Sequence, residues 1–591
     1  MGDDSLHPKF EQARSSVRPV MRGRTGMVVS GHPLATQAGM RILERGGNAV
    51  DAGVAAGLCL GILMPDMVSF AGVAPIMVYL ADRKEIKAVS GLGPWPRKAS
   101  VDYFIRHHDG KIPAGIERTV VPAAPDAWIQ TLKHYGTMSF EEVSRDAIDL
   151  AEQGFPMYQF MSNNIKEVVD HYRRWPSQAE IYLPKGRPPE PGEIFVQKDL
   201  AQTVKKMVRA EQKKRFSGRE EALQAARDEF YKGEIAEAIL DYSGKHGGLL
   251  ERDDLEKFSV TIEDPLHTTY RGLTVHSCRP WCQGPVLLQM LNMLEAHDLK
   301  GLGHNSAEYI HLITETAKLV YADREKYYGD PDVIPVPMEG LLSRGYAAAR
   351  RDLIDRERAW PEMPPAGNPW EWESHTSSGK TGKRDRLPPA SPGDPKDGDT
   401  SYVCVVDRYG NAFSATPSDG AENTPTIPGT GLAVSSRGSQ SWVDSNHASS
   451  VQGGKRPRLT PNPSMVFKHG KLLMPFGTPG GDVQCQAMLQ AFLNIVEFEM
   501  DPQMAVEAPR FATFSFPNSF YPHDYHPGLL RVERRVGPAA MATLREKGHR
   551  IEEWPDWAWR AGAVCCIVVD SVNGILLGAA DPRRESCAWG W

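Results

Sequence analysis

Asp399 and Thr400 stand where a stretch dense in Pro, Gly, Ser, Lys and Asp, residues 361–399, gives way to the strand-like run Thr400-Ser401-Tyr402-Val403-Cys404-Val405-Val406-Asp407. A threonine at the mouth of a buried strand is an ordinary strand start. It is also a place from which a hydroxyl can attack the carbonyl before it. That attack breaks the 399–400 bond and makes Thr400 a new N-terminus, whose α-amine then serves as base for its own hydroxyl. Two further features supply what such chemistry needs. Asn411 to Ser418 reads as a return strand after the turn Arg408-Tyr409-Gly410-Asn411, and it puts Thr416 and Ser418 on one face. Their hydroxyls can hold the new ammonium or the attacking oxygen. Phe476-Gly477-Thr478-Pro479-Gly480-Gly481-Asp482 joins a strand to a helix. There Gly480 and Gly481 can aim backbone N–H groups at a substrate carbonyl, as an oxyanion hole requires, helped by the positive end of the helix that follows. Taken singly, these are a strand start, two surface hydroxyls and a tight turn.

Rigid elements must hold these groups, and the chain supplies them. Residues 25–30 read as a strand. After His32-Pro33, Leu34, Ala38, Ile42 and Leu43 recur at helical spacing up to Gly46-Gly47. A second apolar helix runs from Ala49 to Leu63, and strands follow at 75–80 and 86–90. This alternation predicts an α/β fold with helices packed on sheets. Residues 122–358 read as mostly helical, with strands near Thr261 and at 273–277, and with Ser306 capping a helix over 307–326. The stretch 361–399 has the composition of a mobile linker. Beyond it come short strands at 401–406, 411–416, 431–435, 464–467, 472–476, 564–569 and 574–578, interrupted by one helix over 482–496.

The 591 residues are 41% hydrophobic and 24% charged with a formal net charge of -6, which points to neither nucleic acid nor an anionic membrane as partner. No basic segment followed by an apolar run opens the chain, so a cytoplasmic location is the expectation. The longest apolar stretch, 49–67, carries Asp51, Asp66 and several glycines and suits a buried helix better than a membrane span. The eight cysteines are dispersed, and Cys278 and Cys282 have no second pair at zinc-site spacing. Reduced, mostly buried thiols are expected, with no metal and no organic cofactor.

The order of these features resembles the gamma-glutamyltranspeptidase family. The resemblance extends over nearly the whole chain: Gly46-Gly47-Asn48-Ala49-Val50-Asp51-Ala52, Tyr321-Ala322-Asp323-Arg324 with Tyr328-Gly329-Asp330-Pro331-Asp332, Gly410-Asn411-Ala412, Lys455-Arg456-Pro457, Pro479-Gly480-Gly481, Ala508-Pro509-Arg510-Phe511 and Asp581-Pro582-Arg583. It implies an αββα four-layer N-terminal-nucleophile fold, made as a precursor and cut into interlocked fragments 1–399 and 400–591. It also implies Thr400 as nucleophile, Thr416 and Ser418 as its assistants, and Gly480 and Gly481 as oxyanion donors. The implied partners are a small-molecule amide and the two fragments themselves, with room for a dimer of such heterodimers.

The departures from the family fall on substrate recognition. Leu92 stands where the family keeps an arginine that grips the glutamyl α-carboxylate, and leucine has no substitute for that contact. Arg437 and Gln440 fall near the pair that holds the α-amine, where a cation would repel it. Leu459-Thr460-Pro461-Asn462-Pro463 replaces a Ser-Ser step, and Phe70-Ala71-Gly72-Val73-Ala74-Pro75 replaces a glycine-rich turn. The substrate contacts expected are therefore Leu92, Trp95, Arg437, Gln440, Thr460 and Asn462. Leu92, Trp95 and Trp442 would form an apolar pocket, or Arg437, Arg458 or Arg97 would bind an acyl carboxylate. The reading is an amidohydrolase for a small amide, similar to oxamate amidohydrolases. The alternatives are a glutathione hydrolase with a rearranged glutamate site and an uncleaved binding scaffold.

Overall fold

Side-chain alternation sets the layering. In the strand Val403–Asp407, Val403 and Val405 join one apolar cluster while Cys404 and Val406 join another, because successive side chains leave a strand on opposite faces. The first cluster lies beneath the helices Pro33–Glu44 and Ala49–Leu63. The second is shared with Met465, Phe467, Cys565 and Ile567 of another sheet. The far side of that sheet, through Val275, Val466, Met474 and Phe476, packs on the helices Gly284–Leu294, Ala307–Tyr327 and Gln484–Val496. The computed structural model, which describes residues 16–374, 387–392 and 399–591, is thus the αββα sandwich.

Each of the two main sheets has seven strands drawn from both sides of residue 400. One runs Cys587–Gly590, Gly26–Ser30, Val403–Asp407, Ala412–Ala415, Ile76–Leu80, Glu85–Val89, Ile262–Glu263. The other runs Met21–Gly23, Ile575–Ala580, Cys565–Asp570, Lys471–Gly477, Ser464–Lys468, Leu273–Ser277, Leu266–Tyr270.

The hairpin that carries Thr400 is pinned at its turn. Asp407 accepts from the backbone N–H of Tyr409 (2.8 Å), Asn411 (3.0 Å) and Ala49 (2.9 Å). It therefore caps the turn and answers the positive end of the helix Ala49–Leu63 at once. Val403 pairs with Ala415, and the same register continues to an isolated bridge between Thr400 and Ser418. The regular ladder begins at Val403 and not at Thr400. Pro417 has no N–H to give, and only its carbonyl is used, by the N–H of Ser401 (2.9 Å).

The expected linker 361–399 lies partly outside the described residues. Its first part is anchored: Gly367 donates to Asp323 and accepts from the Tyr327 hydroxyl, and Met363 N–H donates to the Tyr525 hydroxyl. Met363 and Trp370 pack against the core, which their apolar side chains favour over solvent. The segment after residue 400 is less purely sheet than expected. It adds the helices Pro502–Glu507 and Pro538–Glu546 and a small sheet of Phe511–Thr513, Leu529–Glu533 and Arg550–Trp554. All eight cysteines are free thiols, seven of them buried. Among the described residues no helix is long and apolar enough to cross a membrane.

Candidate active site

The 399–400 bond lies just before the inner strand Val403–Asp407, with donors crowded round its carbonyl. The Thr400 hydroxyl lies against the Asp399 carbonyl oxygen and 2.8 Å from the Ser418 hydroxyl. Ser418 donates to the same carbonyl (2.5 Å), and the Arg437 guanidinium reaches it at 3.3 Å and Ser418 Oγ at 2.6 Å. The Asp399 side chain is held as well: Arg437 pairs with Oδ1 at 2.5 Å, and the Gly420 N–H donates to Oδ2. Arg584 donates to the Thr400 carbonyl at 3.1 Å. Thr400, Ser418 and Arg437 are all buried, so these bonds form where water competes little.

Asp419 fixes the arginine. Its carboxylate lies 3.9 Å from Arg437 Nε and accepts from the hydroxyls of Ser435 (2.5 Å) and Ser436 (2.6 Å). It sits at φ 100°, a strained backbone for a residue with a side chain. Burial works against the Arg437 charge, but Asp399 and then Asp419 outweigh it and hold its pKa above the ordinary value. Two more acids stand close by. Burial, then the neighbouring Asp399, pushes the Glu422 carboxyl well above its usual range, and burial lifts Asp66 to about 6.

The strand Lys471–Gly477 brings the glycine turn to the same place. Pro479 and Thr400 line one small cavity with Gly31, Met64, Tyr402 and Arg584. Gly480 (φ 125°) and Gly481 (φ 55°) occupy backbone regions that a side chain rarely tolerates. Among the described residues, no carbonyl or side chain outside the turn itself takes up either N–H. The turn is clamped from behind: Gln283 donates to the Gly481 carbonyl (2.9 Å), and Asp482 is paired with Arg324 and accepts from Ser519 N–H at 2.7 Å.

A match to the gamma-glutamyltranspeptidase family model runs over residues 35–591. The chain belongs to that family. It is 31% identical to the glutathione hydrolase proenzyme of Bacillus subtilis (strain 168) across 96% of this chain and 92% of that one. It is also 31% identical to the acylase ACY 1 proenzyme of Pseudomonas sp. (strain SE83) across 95% of this chain and 93% of that one. The crystal structure of cephalosporin acylase from Bacillus halodurans superposes with a TM-score of 0.84 at 27% identity, covering 100% of this chain and 99% of that one. The chain is accordingly an amidohydrolase-type enzyme of the N-terminal-nucleophile class.

Against the family pattern, the expected site residues divide. Thr400, Ser418, Asp399 and Arg437 are in contact. Thr416 is on the same strand face, but its buried hydroxyl has no hydrogen-bond partner among the described residues. Gln440 reaches the Thr460 hydroxyl at 3.1 Å, and the Thr460 carbonyl accepts from Gln283 at 3.1 Å. Asn462 is taken up inside the scaffold by Ser277 (2.7 Å) and Gln484 (3.2 Å).

The apolar pocket of Leu92, Trp95 and Trp442 is not formed. Leu92 is buried among Val73, Cys278, Trp281, Cys282 and Leu459. It and Trp95 line a cavity of about 280 Å3 with Arg97 and Arg456, but neither Thr400 nor Trp442 does. Trp442 is instead stacked between His447 and His523, with ring centroids 3.9 and 3.6 Å away, and it carries Arg458 on its face. Arg458 is committed to Glu325 at 2.7 Å, and Arg97 is a half-exposed partner of Asp253. Of the three arginines expected from the sequence, Arg437 is thus the one that reaches the junction, where Arg584 adds a second cation on the Thr400 carbonyl. Asp419, Gly420 and Arg584 are site residues that sequence reasoning passed over. The Ser-Asp-Gly step after the hairpin was the one available signal for the first two.

Proposed function

We propose that the chain is a self-processing amidohydrolase whose nucleophile is Thr400, yielding fragments 1–399 and 400–591, and that it acts on a small carboxylate-bearing amide in preference to glutathione. The observation that carries this reading is the arrangement of Thr400, Ser418 and Arg437 about the Asp399 carbonyl. Ser418 has one proton. With that proton on the scissile carbonyl, Thr400 donates to Ser418 and keeps a lone pair for the carbonyl carbon. Attack moves negative charge onto an oxygen already facing a hydroxyl and a guanidinium. Collapse breaks the C–N bond, leaves residue 399 as an ester on Thr400 and passes the hydroxyl proton to the new α-amine. Water then releases fragment 1–399 as a carboxylate and restores the hydroxyl.

In later turnovers the same amine takes the Thr400 proton. The alkoxide then attacks the substrate carbonyl while Gly480 and Gly481 N–H receive the oxyanion. The amine product leaves, and water activated by the α-amine releases the acid. General-base assistance of this kind contributes about 10²–10⁴-fold. A cytoplasmic location stays part of the proposal.

Purified protein separated on a denaturing gel tests the reading. Two bands are expected, the smaller with Thr400 at its N-terminus, together with amine release from simple amides that exceeds glutathione turnover. A single band that persists on long incubation sinks it. Ser418→Ala, which removes a donor to the scissile carbonyl, is expected to slow cleavage by about 10²-fold. Cleavage at the wild-type rate would remove Ser418 from the relay.

A further inference from the structure

Resting on Thr400 as nucleophile, we infer that the acyl group this enzyme accepts is that of a succinate-type monoamide, with a carboxylate two carbons beyond the reacting carbonyl. The uncleaved junction supplies the argument. When Thr400 Oγ1 bonds to the Asp399 carbonyl carbon and the C–N bond breaks, the product is an ester on Thr400, and the hydroxyl proton has passed to the α-amine. That ester is an acyl-enzyme, and its acyl group is residue 399 itself. Water then releases residue 399 as a carboxylate and restores the hydroxyl. Every later turnover must pass through an ester on the same oxygen. The walls round the Asp399 side chain are therefore walls of the acyl subsite.

Those walls are built for one carboxylate at one distance. Arg437, 1% exposed, meets Oδ1 at 2.5 Å, and the Gly420 N–H meets Oδ2, so each oxygen has its own donor. Gly420 must be glycine for this approach: a Cβ there would come within 2.9 Å of Asp399 Oδ2, and closer still to Glu422 and the Asp66 carbonyl. Asp419 and the two serines behind Arg437 keep the guanidinium from following its ligand when residue 399 departs. The fixed guanidinium and the Gly420 N–H that Asp399 leaves behind favour an incoming anion.

In Asp399 the carboxylate carbon is separated from the attacked carbonyl by Cα and Cβ. A succinamate, or an N-acyl-aspartyl amide, reproduces that spacing. An oxamate carboxylate falls short of Arg437, and a γ-glutamyl group overshoots it and brings an ammonium towards the guanidinium.

The test uses the processed wild-type enzyme and a series of mono-4-nitroanilides: malonyl, succinyl, glutaryl, γ-glutamyl, and butyryl as the uncharged match for succinyl. The expected kcat/KM for succinyl exceeds butyryl by about 10²-fold, the worth of a buried charge-assisted pair, and exceeds its shorter and longer homologues as well. Succinate is expected to inhibit competitively where propionate does not. Butyryl or glutaryl turned over as fast as succinyl overturns the inference and leaves the amidohydrolase standing. Cleaved protein that turns over none of the anilides overturns both.

Discussion

Thr400→Ala is expected to stay one chain indefinitely and to release no amine from any amide, a loss of at least about 10⁴-fold in hydrolysis. Both losses follow from one atom. In the proposed mechanism the hydroxyl that lies against the Asp399 carbonyl opens the 399–400 bond, and the amine so exposed is the base for the next reaction. Alanine removes the attacking oxygen and, by leaving the bond closed, the base as well. Thr400→Ser separates these roles from mere structure: it keeps oxygen and amine and loses only a methyl, so it should cleave and hydrolyse, more slowly. Time courses on denaturing gels, with mass measurement of the smaller band, read the first loss, and amine release reads the second. Cleavage of Thr400→Ala at the same bond would assign the chemistry to another group.

The second large effect is expected at Asp482, which touches no reacting atom. It follows Gly480-Gly481 directly and is paired with Arg324, fully buried and stacked against Tyr321 at 4.5 Å. Tyr321 in turn donates to the Asp482 carbonyl at 2.6 Å. Asp482→Ala leaves Arg324 to share Glu325 with Arg458, two cations on one carboxylate. Removing one partner of such a pair costs about 3–5 kcal/mol. The loss is best read as a shift in denaturant midpoint in the Thr400→Ala background, where the chain stays whole. In the processed enzyme the same change unclamps the glycine turn, and hydrolysis should fall by about 10²–10³-fold with the smaller effect on KM. Unchanged kcat in a destabilised variant would show that the turn holds its shape without the pair and would detach it from oxyanion stabilisation.

Where local pattern decides structure, the sequence was legible. Ala49–Leu63 and Leu273–Ser277 fall where their apolar runs and flanking Gly, Pro and Asn residues put them, and Ser306 caps its helix through Tyr309 N–H. The sheet of Phe511–Thr513, Leu529–Glu533 and Arg550–Trp554 was not legible. Those short strands alternate poorly, and buried charges such as Arg531 and Glu533 are tolerated only because distant partners pair them. The site divides in the same way. Thr400, Ser418 and the glycine turn are consecutive features of strands and turns. The neighbourhood of Arg437 depends on residues brought together across the fold, and no spacing along the chain announces that its guanidinium meets Asp399. Trp442 shows the reverse error: an aromatic near a suspected pocket was spent on stacking between two histidines.

The two sheets draw strands from both sides of residue 400, with Gly26–Ser30 held between Cys587–Gly590 and Val403–Asp407. Before the 399–400 bond opens, unfolding and refolding are events within one molecule. Afterwards the same sheets can be rebuilt only by two separate pieces finding each other, so recovery becomes dependent on concentration. The proposed cut, which would create the catalytic amine, would also erase the chain's record of how its halves were threaded. An enzyme cut at this bond would persist by slow unfolding, whether or not refolding would succeed.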